Sequence, residues 1–337
     1  MRVVLGALAV VALAIAAASA LAAPAGTVTT DSVRVSGLER TYRVFVPNRL
    51  PEKAPVVFVF HGGLVNGAGV ARQTRFDEEA SRRGFIAVYP DGIGRTWNAG
   101  TCCGLSNRLG VDDVAFVSSL LDKLTRRYSV DRRRVFATGI SNGGLFSYFL
   151  ECRLSGRIAA VAPVSATLDS ECSPSQPVSI LHVHGLADEN IPFDGGPGTR
   201  GSLDVDWPPV QAGVDRWRSL NSCPTTGTSK GHHTVTTSTW SPCRAGTAVT
   251  LVTIAGAKHK WPREQYDATR EVWRFRRPPE TISLLAGDQY RCSRRQTRTT
   301  TYAHTPSTTT KANAPIPAGN PRPTARPIST TARMIAA

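Results

Sequence analysis

Residues 136–149, FATGISNGGLFSYF, decide the fold. The frame Gly139-Ile140-Ser141-Asn142-Gly143 fits G-x-S-x-G, the tight turn that lifts a serine above the end of a strand and starts a helix. Glycine and serine are common enough for such a match to arise by chance, so the pentapeptide carries little alone. Its flanks carry more. RRVFATG, leading in, has the apolar β-branched and aromatic content of a buried strand, and GGLFSYFLECRL, leading out, reads as a helix. A serine delivered by a strand and received by a helix is a candidate nucleophile.

Working outward, the chain repeats that format. VRVSGLERTYRVFVP reads as two strands around a turn, a hairpin that starts the sheet. APVVFVFHGG is a continuous apolar run ending in glycines, as in a strand buried on both faces, and GFIAVYPDG is similar. VDDVAFVSSLLDKLTRRY sets Val114, Val117, Leu120, Leu121, Leu124 and Tyr128 at helical spacing, with acids at its start and arginines at its end. IAAVAPVSA, VSILHVHG and VTLVTIAG supply three more strands, and DATREVWRF a last helix. Strands alternating with helices predict an α/β fold with a mostly parallel central sheet and helices on both faces.

A nucleophilic serine in such a sheet needs an acid and a histidine later in the chain, each after a strand, and backbone donors for an oxyanion. Asp188 lies three residues beyond Gly185, which ends VSILHVHG, and His259 five beyond Ile254. Asp194 is the alternative acid; His232 and His233 fit the order as bases but follow no core strand. The N–H groups of Asn142, next to the serine, and of Gly63, in FHGG, are the candidate oxyanion donors. Trp97 and Trp261 are candidates for lining an aromatic or sugar-binding cleft, with simple loop packing as their alternative. GPGTRG at 196–201 has dinucleotide-loop spacing but no strand before it. His182 and His184 alternate on one strand, where satisfied core histidines outweigh a metal pair because no third ligand is at hand. No metal or organic cofactor is implied.

Residues 1–22 read as a signal peptide: Arg2, an apolar stretch from Val3 to Ala18, then Ala20-Leu21-Ala22. The run is short and alanine-rich for a spanning helix, so secretion is expected in place of a stable membrane anchor. Export permits disulfides. Cys152–Cys172 and Cys223–Cys243 are the expected pairs; Cys102 and Cys103, being adjacent, are expected to pair elsewhere or stay free, with Cys292 the odd one out. The chain carries 40 Lys and Arg against 25 Asp and Glu, a net +15. Residues 278–337 hold eight of the basic residues against two acids and are rich in Thr and Pro, the composition of a disordered tail. The rest is scattered, without aromatic–basic interleaving, so nucleic acid is not an expected partner. Residues 23–277 are the expected catalytic domain.

The blocks FHGG, YPDGIGRTWNAGTCCG, GVDDVAFVSSLLDKL, YSVDRRRVFATGISNGG, LHVHGLADENIPFDGG and HKWP resemble the secreted polyhydroxybutyrate depolymerase-like esterases, relatives of feruloyl and acetylxylan esterases. The resemblance runs from about residue 30 to 275. It implies an α/β-hydrolase fold, ester hydrolysis without a cofactor, and Ser141, Asp188 and His259 as the triad. The loop after HGG is LVNGAG where relatives tend to carry more glycines, and lysine follows His259 where a small polar residue is usual. The implied substrate is an ester, feruloyl or acetyl groups on a polysaccharide or a polyester. A serine peptidase of the same fold and a non-catalytic cell-surface binding protein are the alternatives.

Overall fold

The computed structural model describes residues 24–200 and 205–275. The expected signal peptide, Cys292 and the tail lie outside them. The chain opens with the hairpin β1 (Gly26–Val35) and β2 (Leu38–Pro47), joined by Ser36 and Gly37, both at positive φ. Such a two-residue turn matches the twist of antiparallel strands.

β3 (Ala54–Phe60) is buried along its whole length. Ala54, Val56, Phe58 and Phe60 join one core cluster while Val57 and Val59 join the other. That division is the period of two expected of a strand covered on both faces. After β3 come α1 (Gly67–Thr74), α2 (Phe76–Arg83) and β4 (Ile86–Pro90). The short α3 (Gly104–Arg108) precedes α4 (Asp113–Arg127), which is capped by the Asp112 carboxylate accepting from the Ala115 N–H at 2.8 Å. Then follow β5 (Val130–Ile140), α5 (Asn142–Leu154), β6 (Ala160–Val164) and β7 (Ser179–Gly185). A two-residue ladder, β8 (Gly196–Pro197) with β9 (Asp206–Trp207), stands apart from the main sheet before α6 (Val210–Leu220). β10 (Thr228–His232), β11 (Val235–Trp240), β12 (Val249–Ile254) and α7 (Ala268–Phe275) complete the described chain.

The ten-stranded sheet has the order β1-β2-β4-β3-β5-β6-β7-β12-β11-β10. Its six central strands, β4 to β12 in that order, are parallel; the terminal hairpins pair antiparallel on either edge. Apolar residues of α4, α5 and α6 fill one core cluster, those of α1, α2 and α7 the other. Helices therefore cover both faces. Among the described residues, no helix is long and apolar enough to cross a membrane.

Cys152–Cys172 ties the end of α5 to the segment after β6, and Cys223–Cys243 closes the β10–β11 hairpin. The expectation for the adjacent pair is corrected: Cys102 and Cys103 bond to each other, across a cis peptide that brings their Cα atoms to 3.1 Å.

Candidate active site

Because the central strands are parallel, their C-terminal ends share one edge of the sheet. That edge collects the candidate residues. β5 ends at Ile140, and Ser141 takes φ 57 and ψ −126 before α5 begins. A serine in the positive-φ region is strained and persists only where its surroundings enforce it. Here its N–H donates to the Val164 carbonyl at 3.0 Å, while its own carbonyl accepts from Gly144 and Leu145. The flanking glycines make the turn possible. A Cβ on Gly139 would lie 2.4 Å from the Gly143 carbonyl oxygen, and one on Gly143 would lie 2.4 Å from that of Phe60. Helix and strand meet with no room for a methyl group. Asn142 and Gly143 open α5, where N–H groups have no intrahelical acceptor and the helix dipole favours negative charge.

The FHGG turn follows β3 beside the serine: a Cβ on Gly62 would sit 3.4 Å from that of Ser141. His61, a residue given no role by the sequence reading, controls this turn. It is wholly buried, its Nδ1 donates to the Gly62 carbonyl at 2.8 Å, and its Nε2 accepts from the Gly92 N–H at 3.0 Å. Burial lowers its pKa, which agrees with the neutral tautomer those bonds require. In one planar trans peptide the Gly62 C=O and the Gly63 N–H point opposite ways. Holding that carbonyl on His61 therefore aims the Gly63 N–H away from the imidazole.

The Asn142 side chain locks the loop after β4. Its Oδ1 accepts from the Trp97 N–H at 2.6 Å and its Nδ2 donates to the Trp97 carbonyl at 3.0 Å. Trp97 itself is fully buried, donating through Nε1 to the His61 carbonyl at 3.0 Å and stacking on Phe146 at 5.0 Å. Trp261 is 4% exposed and donates through Nε1 to Thr269 Oγ1 at 3.0 Å. Of the two readings of these tryptophans, the contacts support loop packing: each indole is spent on packing and on a hydrogen bond inside the protein. Asp113, also missed, anchors the same loop from α4. Its Oδ1 accepts from Arg40 at 2.6 Å, and its Oδ2 accepts from the Asn98 N–H and Ser106 Oγ, both at 2.8 Å.

Asp188 stands in the turn after β7, and its Oδ1 accepts from the N–H groups of Asn190 at 2.9 Å and Ile191 at 3.0 Å. His259, in the loop after β12, brings Nδ1 to 2.8 Å from Asp188 Oδ2. The two loops are fastened by the Ala187 N–H on the Ala257 carbonyl at 2.9 Å. Burial pushes the Asp188 pKa up, but the hydrogen bond and charge of His259 and the Ile191 N–H outweigh it, leaving a net downward shift. The acid is therefore an ionised partner for Nδ1, and Nε2 is the ring's remaining nitrogen. Asp194 is exposed, and His232 and His233 are exposed on the outer hairpin, away from this pair. His182 and His184 are buried and bonded to each other at 3.1 Å. Among the described residues no group of three or more potential metal ligands occurs.

Residues 41–185, from β2 to the end of β7, match the family model described as esterase PHB depolymerase. That stretch is similar to the esterase PHB depolymerase family. It contains FHGG and Ser141 and stops just before Asp188. A bifunctional acetylxylan esterase/xylanase of Neocallimastix patriciarum is 27% identical over 236 residues, covering 68% of this chain and 32% of that protein. Feruloyl esterase B of Piromyces equi is 28% identical over 222 residues, covering 61% and 39%. Feruloyl esterase C of Emericella nidulans is 32% identical over 167 residues, covering 47% and 58%. The chain thus spans a third to two fifths of the length of the first two relatives. An acetyl xylan esterase from Aspergillus awamori superposes with a TM-score of 0.54 at 15% identity, covering 73% of this chain and 99% of that structure. At that identity the likeness establishes the α/β-hydrolase fold.

Proposed function

We propose that the chain is a secreted serine esterase that cleaves carboxylic esters through an acyl-enzyme. The observation that carries this is the Asp188–His259 pair at 2.8 Å, on the same sheet edge as a serine held at φ 57 between two glycines. In the first half-reaction His259 Nε2 takes the proton of Ser141 as its oxygen attacks the ester carbonyl, and Asp188 stabilises the imidazolium through Nδ1. The N–H groups of Asn142 and Gly63 receive the oxyanion, assisted by the positive end of α5. His259 then protonates the leaving alcohol. In the second half-reaction water attacks the acyl-enzyme, His259 again acting as base, and the acid is released with Ser141 restored.

The relatives named acetylxylan and feruloyl esterases favour acetyl or feruloyl esters carried on a plant polysaccharide, with polyester as the second substrate class. The leader-like residues 1–22 support export. The purified protein should release p-nitrophenol from short acyl esters and be labelled by a fluorophosphonate, and Ser141→Ala should abolish both. A parent that shows neither would remove the proposal. Methyl ferulate, acetylated xylan and polyhydroxybutyrate granules, assayed side by side, sort the substrate class.

A further inference from the structure

Two buried histidines on β7 take no part in these steps. His182 and His184 alternate along the strand and face the same side, both at 0% exposure. The protons on this pair can be assigned from geometry. A carbonyl only accepts, so the 2.9 Å contact between His184 Nε2 and the Ile191 carbonyl puts the proton on Nε2. Burial lowers the pKa of both rings, and each carries a single N–H. His184 Nδ1 is then an acceptor, and His182 Nε2, 3.1 Å away, is its donor. His182 Nδ1 in turn accepts from the Tyr148 hydroxyl at 2.7 Å.

The hydrogen bonds thus run one way, from Tyr148 through His182 and His184 to Ile191. The chain begins on α5, the helix that starts at Ser141, and ends on the loop that holds the acid. Ile191 returns its own N–H to Asp188 Oδ1 at 3.0 Å, and His184 Nε2 lies 3.6 Å from Asp188 Oδ2. The charged and titratable groups around His184 are Asp188 and His259 on one side and His182 on the other; the Ala166 carbonyl and the edge of Phe193 complete its surroundings. Trp217 stacks on Tyr148 at the far end. An apolar side chain at either histidine would fill the volume but leave buried polar atoms unpaired, at a cost that hydrogen-bonded imidazoles avoid.

We propose that Tyr148, His182 and His184 are positioning residues for the catalytic acid: their one-way hydrogen-bond chain fixes the 188–191 loop against the nucleophile's helix, so that Asp188 meets His259 in register. The inference rests on the Ser141–His259–Asp188 assignment. Small displacements of catalytic groups cost up to about a hundredfold in rate. His184→Phe keeps the volume and removes the N–H, and should lower kcat about ten- to a hundredfold per active site with KM within about twofold. A loosened acid stabilises the imidazolium less, so the acid limb of the kcat/KM profile should move to lower pH. His184→Gln, whose amide nitrogen reaches the position of Nε2, should recover most of kcat and return the limb.

The assay is pH-resolved ester turnover of the full chain, with active sites counted by fluorophosphonate so that loss of folded protein is separated from loss of rate. Tyr148→Phe, a smaller change, should lower kcat about two- to fivefold with the limb displaced the same way. The positioning chain is overturned if His184→Phe equals the parent in kcat and limb, or if Gln restores nothing. Should His184→Phe not fold, an unaltered Tyr148→Phe overturns it equally. An active parent and a silent Asp188→Asn beside a normal His184→Phe would sink the positioning chain alone; an unlabelled, inactive parent would sink the esterase proposal beneath it.

Discussion

Asn142→Ala separates two jobs assigned to one residue. The backbone N–H proposed for the oxyanion stays, whereas the side chain that holds the Trp97 peptide groups goes. Trp97 is fully buried, so its N–H, now bonded to Asn142 Oδ1 at 2.6 Å, is left without an acceptor. Its carbonyl loses the 3.0 Å bond from Nδ2 and keeps only a 3.4 Å contact with the Cys103 N–H. An orphaned buried peptide group costs about 1–3 kcal/mol. With one full orphan and one partial one, the variant should be about 2–4 kcal/mol less stable, lowering the urea midpoint by about 1 M. Turnover should fall by about tenfold or less, since loss of an oxyanion donor itself costs about 10²- to 10³-fold. Urea melts followed by tryptophan fluorescence, with turnover per fluorophosphonate-labelled site, measure both. An unchanged midpoint with turnover reduced a thousandfold would refute the division of labour.

His61→Phe preserves burial but frees the Gly62 carbonyl, and kcat should drop about 10²-fold with little change in KM, read by steady-state turnover. Glu151 is buried with neither carboxyl oxygen hydrogen-bonded, and burial pushes its pKa well above 4.5. A raised carboxyl pKa means stability is full below about pH 4.5 and is lost as pH climbs toward the folded-state value, by about 1.4 kcal/mol per unit. Glu151→Met should therefore gain on the parent as pH rises above about 4.5 in urea melts; a constant difference would contradict the assignment. Replacing Cys152 and Cys172 together by serine opens a loop of 20 residues and should cost about 3 kcal/mol, seen as a lower thermal midpoint. If Asp188 is the proposed acid, Asp188→Asn should lower kcat about 10⁴-fold while fluorescence and melting stay near the parent's.

The sheet was legible in the sequence because buried parallel strands such as VVFVF and RRVFATG are apolar throughout and end in glycine. The shared edge on which Ser141, Asp188 and His259 stand was legible for a related reason: each follows such a run, and parallel strands end on one edge. What a side chain meets across space was not. Trp97 and Trp261 look alike as loop aromatics, and only the packing of Phe146 and Thr269 against them determines that both are interior. Cys102 and Cys103 pair with each other, which no spacing rule foresees. The direction of the His182–His184 bond depends on a carbonyl seven residues beyond His184. The signal in FHGG was visible, but its histidine's task depends on Gly92, 31 residues away.

The order of the chain along the sheet edge has a consequence for when activity arises. The turn that holds Ser141, the proposed nucleophile, is complete once β5 and α5 are in place, but the proposed base His259 arrives from beyond β12, 71 residues after Asp188, with which it pairs. β12 also pairs with β7 along six residues and carries the edge hairpin with it. A chain emerging from N- to C-terminus would thus hold an inert serine until β12 docks. Labelling of Ser141 becomes a clock for completed folding, and a chain caught before β12 docks would be incapable of attacking an ester.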